Sequence, residues 1–117
     1  MEIGGLKEKI IKIFDRYIKD EYILILFGSF AKNNNTRSSD VDIGVYKKNG
    51  VDNGIFLKIK DELEEITLRD IDVVDLYKVK DFKFLDKVIK EGVIWKGKNS
   101  KELLKDLKKH LESLKKL

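Results

Sequence analysis

The six residues Tyr22–Phe27 form an unbroken apolar run that ends in Gly28-Ser29. A run of that length suits a β-strand covered on both faces. After a polar loop containing Asn33-Asn34-Asn35-Thr36 the pattern changes, and Asp40 and Asp42 alternate with Val41, Ile43 and Val45. Side chains two apart on a strand share a face, so the chain from Asp40 through the strand Val41–Tyr46 turns both carboxylates one way and its aliphatic residues the other. Carboxylates forced together repel, and a half-buried strand tolerates them when cations neutralise the pair. Mg²⁺ is a hard ion that takes one or two carboxylates together with phosphate oxygens. The Gly-Ser turn offers main-chain N–H groups and a hydroxyl, which suit a phosphate tail. Together these residues point to metal-assisted phosphoryl or nucleotidyl transfer.

The other elements follow from periodicity. Residues 5–19 predict a helix with Leu6, Ile10, Ile13, Phe14 and Tyr17 as its apolar stripe, and residues 54–67 return to helical spacing through Phe56, Ile59, Leu63 and Ile66. Ile71–Leu76 reads as a third strand, Phe82–Glu91 as a helix stopped by Gly92, and Val93–Trp95 as a short strand. Ser100 is placed to cap a last helix over 101–117, in which Leu104, Leu107, Leu111 and Leu114 recur at three- and four-residue spacing. Two heptads are too few for a coiled coil. The stripe is expected to pack on its own domain, with a partner or oligomer surface as the alternative. Helices alternating with strands predict an α/β (α+β) fold, a mixed sheet packed by helices with an amphipathic C-terminal helix.

The pattern Gly28-Ser29, a spacer, Ser39-Asp40-Val41-Asp42 and a later Asp72 resembles the nucleotidyltransferase superfamily that includes DNA polymerase beta, and in particular its minimal nucleotidyltransferase (MNT) branch. The stretch Lys87–Trp95, where a helix passes through Glu91-Gly92 into a strand, is similar to the end of an MNT domain. The resemblance covers roughly residues 1–97, the expected core; the C-terminal helix over 100–117 completes a single expected domain over 1–117. It implies the nucleotidyltransferase fold and assigns Asp40, Asp42 and Asp72 as metal-holding and catalytic residues, with two Mg²⁺ ions. Gly28, Ser29, Ser39 and Lys32 would bind the nucleotide. Strand alternation agrees on the third carboxylate: Asp72, Val74 and Leu76 share a face, Asp70 stands at the strand entrance, and Asp75 points the opposite way. Many relatives carry Arg-Gly where this chain has Lys32-Asn33, which keeps the charge and exchanges a bidentate fork for an ammonium.

Composition narrows the setting. At 117 residues, 42% of them apolar, the chain can bury a core but offers little room for a separate acceptor-binding domain. No apolar run approaches the length of a membrane span, no signal-peptide pattern appears, and the absence of cysteine excludes disulfides and makes the cytoplasm the expected location. The net charge of +4 rests mostly on lysine, with Arg16, Arg37 and Arg69 the only arginines, and direct nucleic-acid binding is not expected. His110, the only histidine, and Trp95 read as structural. The function expected is Mg²⁺-dependent transfer of AMP from ATP to a hydroxyl of a partner protein. From the resemblance, that partner is a HEPN-type RNase toxin, with this chain as its antitoxin. The alternatives are a non-catalytic antitoxin that acts by docking, or transfer to a small molecule.

Overall fold

The computed structural model describes residues 4–28, 41–66 and 70–116. In chain order these form helix α1 (Gly4–Tyr17), strands β1 (Ile23–Phe27) and β2 (Val41–Tyr46), helix α2 (Asn53–Glu65), strand β3 (Ile71–Asp75), a 3-10 turn (Leu76–Lys78), helix α3 (Phe82–Glu91), strand β4 (Val93–Lys96) and helix α4 (Lys101–Lys115). The sheet runs β3-β2-β1-β4. Both β2 and β4 are antiparallel to β1, whereas β2 and β3 are parallel and joined through α2. A parallel pair needs such a crossover, so the helical pattern between the second and third strands already implied a mixed sheet.

Alternation along the strands divides the core into two layers. Leu24, Leu26, Val41, Ile43 and Val45 pack with Ile10, Ile13 and Phe14 of α1 and Ile59 and Leu63 of α2. Ile23, Ile25 and Tyr46 pack on the other face with Leu85 and Val88 of α3 and with α4. The buried leucines of α4 are Leu103, Leu107, Leu111 and Leu114, while Leu104 is only half-buried. At about 2 kcal/mol for each buried leucine, this stripe ties α4 to its own sheet.

Side chains explain several element boundaries. Asp52 caps α2 by accepting the Ile55 N–H at 3.2 Å, and Asp81 caps α3 through the Lys83 and Phe84 N–H groups. Ser100 does precede α4, but its hydroxyl bonds Glu21 and makes no cap. Gly92 does end α3, though in an extended conformation (φ −75°) rather than a left-handed cap. Its missing side chain matters instead for space, since a Cβ there would overlap Ile25 and the Val88 carbonyl. In mid-strand, Gly44 leaves a notch that Leu76 fills, and a Cβ would stand 2.9 Å from Leu76 Cδ1.

Candidate active site

Register across three strands assembles the site. Phe27 of β1 is opposite Asp42 of β2, and Asp42 is opposite Asp72 of β3. Directly opposed residues on neighbouring strands project to the same face at a strand spacing of about 4.8 Å, so Asp72, Asp42 and Phe27 form one row. The row lies where β1 ends and β2 and β3 begin, on the face shared with α3 and α4. Asp72 is exposed and Asp42 half-buried. At the apolar end of the row the Phe27 ring meets Phe84 of α3 edge-on, with centroids 5.7 Å apart.

Gly28 follows β1 with φ +75°, a left-handed conformation that favours glycine. A Cβ on Gly28 would overlap the Asp42 carboxylate. One residue thus turns the chain out of the sheet and keeps a side chain off the carboxylate. Ser29, Lys32, Ser39 and Asp40, expected in the same site, lie outside the described residues.

The three aspartates around β3 have separate surroundings. Asp70 is exposed just before the strand, and its carbonyl accepts the Val41 N–H at 2.9 Å. Asp75 is 8% exposed and accepts N–H groups from Val51 at 2.8 Å and Tyr77 at 3.1 Å, so it organises the β2–α2 loop and the 3-10 turn. That capping is why β3 stops at Asp75, one residue before the expected Leu76. Asp72 alone of the three shares a row with Asp42.

The donor set fits a hard divalent cation. Asp42 and Asp72 bring carboxylate oxygens from adjacent strands, and the absence of a side chain at Gly28 avoids a clash with the Asp42 carboxylate. Among the described residues no group of three His, Cys, Asp or Glu gathers as a metal site.

Reading by pattern missed the Phe27–Phe84 pair as a neighbour of the carboxylates. Its signal was weak: Phe27 is merely the last residue of an apolar run, and its pairing with Asp42 depends on register across an intervening loop. His110 stacks on Tyr77, with ring centroids 5.6 Å apart, far along the sheet from this row. No described helix is long and apolar enough to cross a membrane.

The family described as "Polymerase beta, Nucleotidyltransferase" matches residues 8–101. The chain is 33% identical over 70 residues, 60% of its length, to the protein adenylyltransferase MntA of Shewanella oneidensis, and the match spans half the length of that relative. It is 32% identical over 94 residues to a Methanocaldococcus jannaschii protein named as a candidate protein adenylyltransferase, a match covering 80% of this chain and 97% of the other. Among solved structures, a toxin–antitoxin crystallised with AMP-PNP superposes with a TM-score of 0.72 at 25% identity, covering 92% of this chain and 82% of that one. With four-fifths of its length matched by the family and the paired carboxylates in place beside a glycine turn, the chain belongs to the polymerase beta nucleotidyltransferase family.

Proposed function

We propose that this chain is a Mg²⁺-dependent adenylyltransferase that moves AMP from ATP to a hydroxyl of a partner protein in the cytoplasm, working as one nucleotidyltransferase domain. The observation that carries the reading is the pairing of Asp42 with Asp72 in register, with Gly28 held against the Asp42 carboxylate. Asp40, Asp42 and Asp72 would hold the metal, which would offset the repulsion of the carboxylates and stabilise charge on the triphosphate. Gly28 and Ser29 would seat the triphosphate through main-chain N–H groups and a hydroxyl, aided by Ser39 and the Lys32 charge. Exposed Asp72 would accept the proton of the acceptor hydroxyl. The hydroxyl oxygen forms a bond to the α-phosphorus, the bond from that phosphorus to the α–β bridging oxygen breaks, and pyrophosphate leaves.

The partner proposed is a HEPN-type toxin, with a tyrosine hydroxyl as acceptor and this chain as its antitoxin. The names of the two relatives, and the toxin–antitoxin solved with a nucleotide analogue, support that context. Calorimetry with ATP, with and without Mg²⁺, tests the site: binding is expected with the cation, and equal affinity in EDTA would remove the metal from the proposal. Incubation with labelled ATP and a co-encoded HEPN-type protein should place AMP on that protein. Neutralisation of the toxin by an Asp42→Asn/Asp72→Asn double variant, with no label transferred, would favour action by docking instead.

A further inference from the structure

Among the described strands β3 is the edge strand of the sheet beside the carboxylate row, and it pairs with β2 alone. The Val41 N–H donates to the Asp70 carbonyl, so this parallel ladder takes the main-chain groups of the even-numbered residues of β3. Main-chain direction alternates along a strand, which turns the N–H and C=O groups of Ile71 and Val73 outward. An outward-facing row of this kind is a template for another extended chain.

A groove of about 350 Å³ runs along the same edge. Phe56, Val73, Val74 and Val79 make its apolar lining, with Asn53, Asp75 and Lys78 also contributing. Leu57, one helical turn on from Asn53, is 61% exposed and extends the apolar surface along α2. Asp72 lies between the two outward-facing residues, with its side chain in the carboxylate row.

We propose that the β3 edge is the acceptor subsite: an extended polypeptide segment carrying the acceptor hydroxyl adds to the sheet beside β3, with an apolar side chain in the groove. Outward main-chain groups select an extended peptide, the lining selects an apolar side chain on it, and continuity with Asp72 puts a neighbouring residue of that segment beside the carboxylate row. Two ladder bonds would fix the direction and register of the segment, which holds its hydroxyl in line before the bond forms. This rests on the reading of Asp72 as the group that takes the acceptor's proton.

Amide hydrogen exchange on the ¹⁵N-labelled chain, alone and with a saturating co-encoded HEPN-type protein, provides the test. Ile71 and Val73 amides should slow by about tenfold or more on binding, while those of Asp72 and Val74, already bonded to β2, change little. Phe56→Ser, in the groove and outside the carboxylate row, should raise the KM for that acceptor about tenfold and leave Mg²⁺-dependent ATP binding unchanged. Transfer that proceeds with Ile71 and Val73 unprotected would overturn the subsite, as would failure of the partner to bind. Protection of both amides in a chain that transfers no AMP would retain edge docking and defeat the enzymatic reading, so the two failures are distinguishable.

Discussion

The two ends of the sheet are built from similar parts and put them to different uses. At one end Gly28, with φ +75°, stands against the carboxylate of Asp42. At the other end Gly50, also with φ +75°, stands against Asp75, where a Cβ would lie 3.2 Å from the Asp75 Oδ2. The Asp75 end is closed: main-chain donors occupy its carboxylate, Lys78 bonds the Val51 carbonyl at 2.9 Å, and Tyr46 donates to Asp106 at 2.6 Å. Burial, and then the bond to Asp106, raise the Tyr46 phenol above its ordinary range, so it remains a donor. Asp72, at the first end, is exposed. A carboxylate surrounded by main-chain donors serves the fold, whereas one left open on a shared row is available for chemistry.

The sharpest way to break that contrast is to neutralise each β3 aspartate in turn. Asp72→Asn should lower AMP transfer by about 10²- to 10⁴-fold, with an unfolding midpoint close to that of the unmodified chain. Asp75→Ala should instead cost about 1–3 kcal/mol of stability in urea titrations, because the Val51 N–H loses its buried acceptor, and the folded fraction should retain transfer. An inactive but stable Asp75→Ala together with an active Asp72→Asn would reverse the assignment.

The glycine pair sharpens the comparison at smaller scale. Gly28→Ala and Gly50→Ala should each lose about 1–2 kcal/mol, since both require a left-handed backbone. Only Gly28→Ala should also weaken metal-dependent ATP binding in calorimetry, because only there does the new methyl meet a carboxylate of the site. Equal losses of binding in the two variants would mean that the turn, not the Asp42 contact, is what matters.

The smallest effect is expected away from both ends. Burial favours a raised pKa for Asp15, but hydrogen bonds from Lys96 and Tyr22 and the charges of Lys96 and Lys19 prevail, holding the carboxyl below its ordinary value of 3.8. A depressed folded-state pKa stabilises the fold above the unfolded value, and that contribution is lost as pH falls through the folded value. Asp15 is exposed, so Asp15→Asn should cost no more than about 1 kcal/mol near neutral pH, and less as acid is added below the unfolded value. A larger loss at pH 7, measured by urea titration, would show that a surface carboxylate can matter as much as Asp75.

Much of this was legible without coordinates because successive side chains on a strand point to opposite faces. The second strand, Val41–Tyr46, and the third helix, Phe82–Glu91, match their sequence-based limits, and the other elements differ from theirs by at most two residues at either end. The opposite senses of Asp72 and Asp75 follow from an odd separation along one strand. Less legible were contacts made between elements. Spacing alone offered Leu104 for the α4 stripe, but the rotation that seats Leu107 and Leu111 on the sheet buries Leu103 instead. Ser100 has the right chemistry for a cap, yet Glu21, distant in sequence, takes its hydroxyl.

By itself, then, the sequence determined the local periods: which residues form each strand or helix, and which side chains on one element share a face. Period-two alternation needs nothing beyond the chain's own geometry. Tertiary structure decided the register between elements. That register sets Asp42 against Asp72, carries Phe27 into their row, admits Leu76 at Gly44 and leaves the outer side of β3 without a described partner strand. A one-residue slip would send every side chain of a strand to the other face, and only the packing of distant apolar residues makes that slip costly.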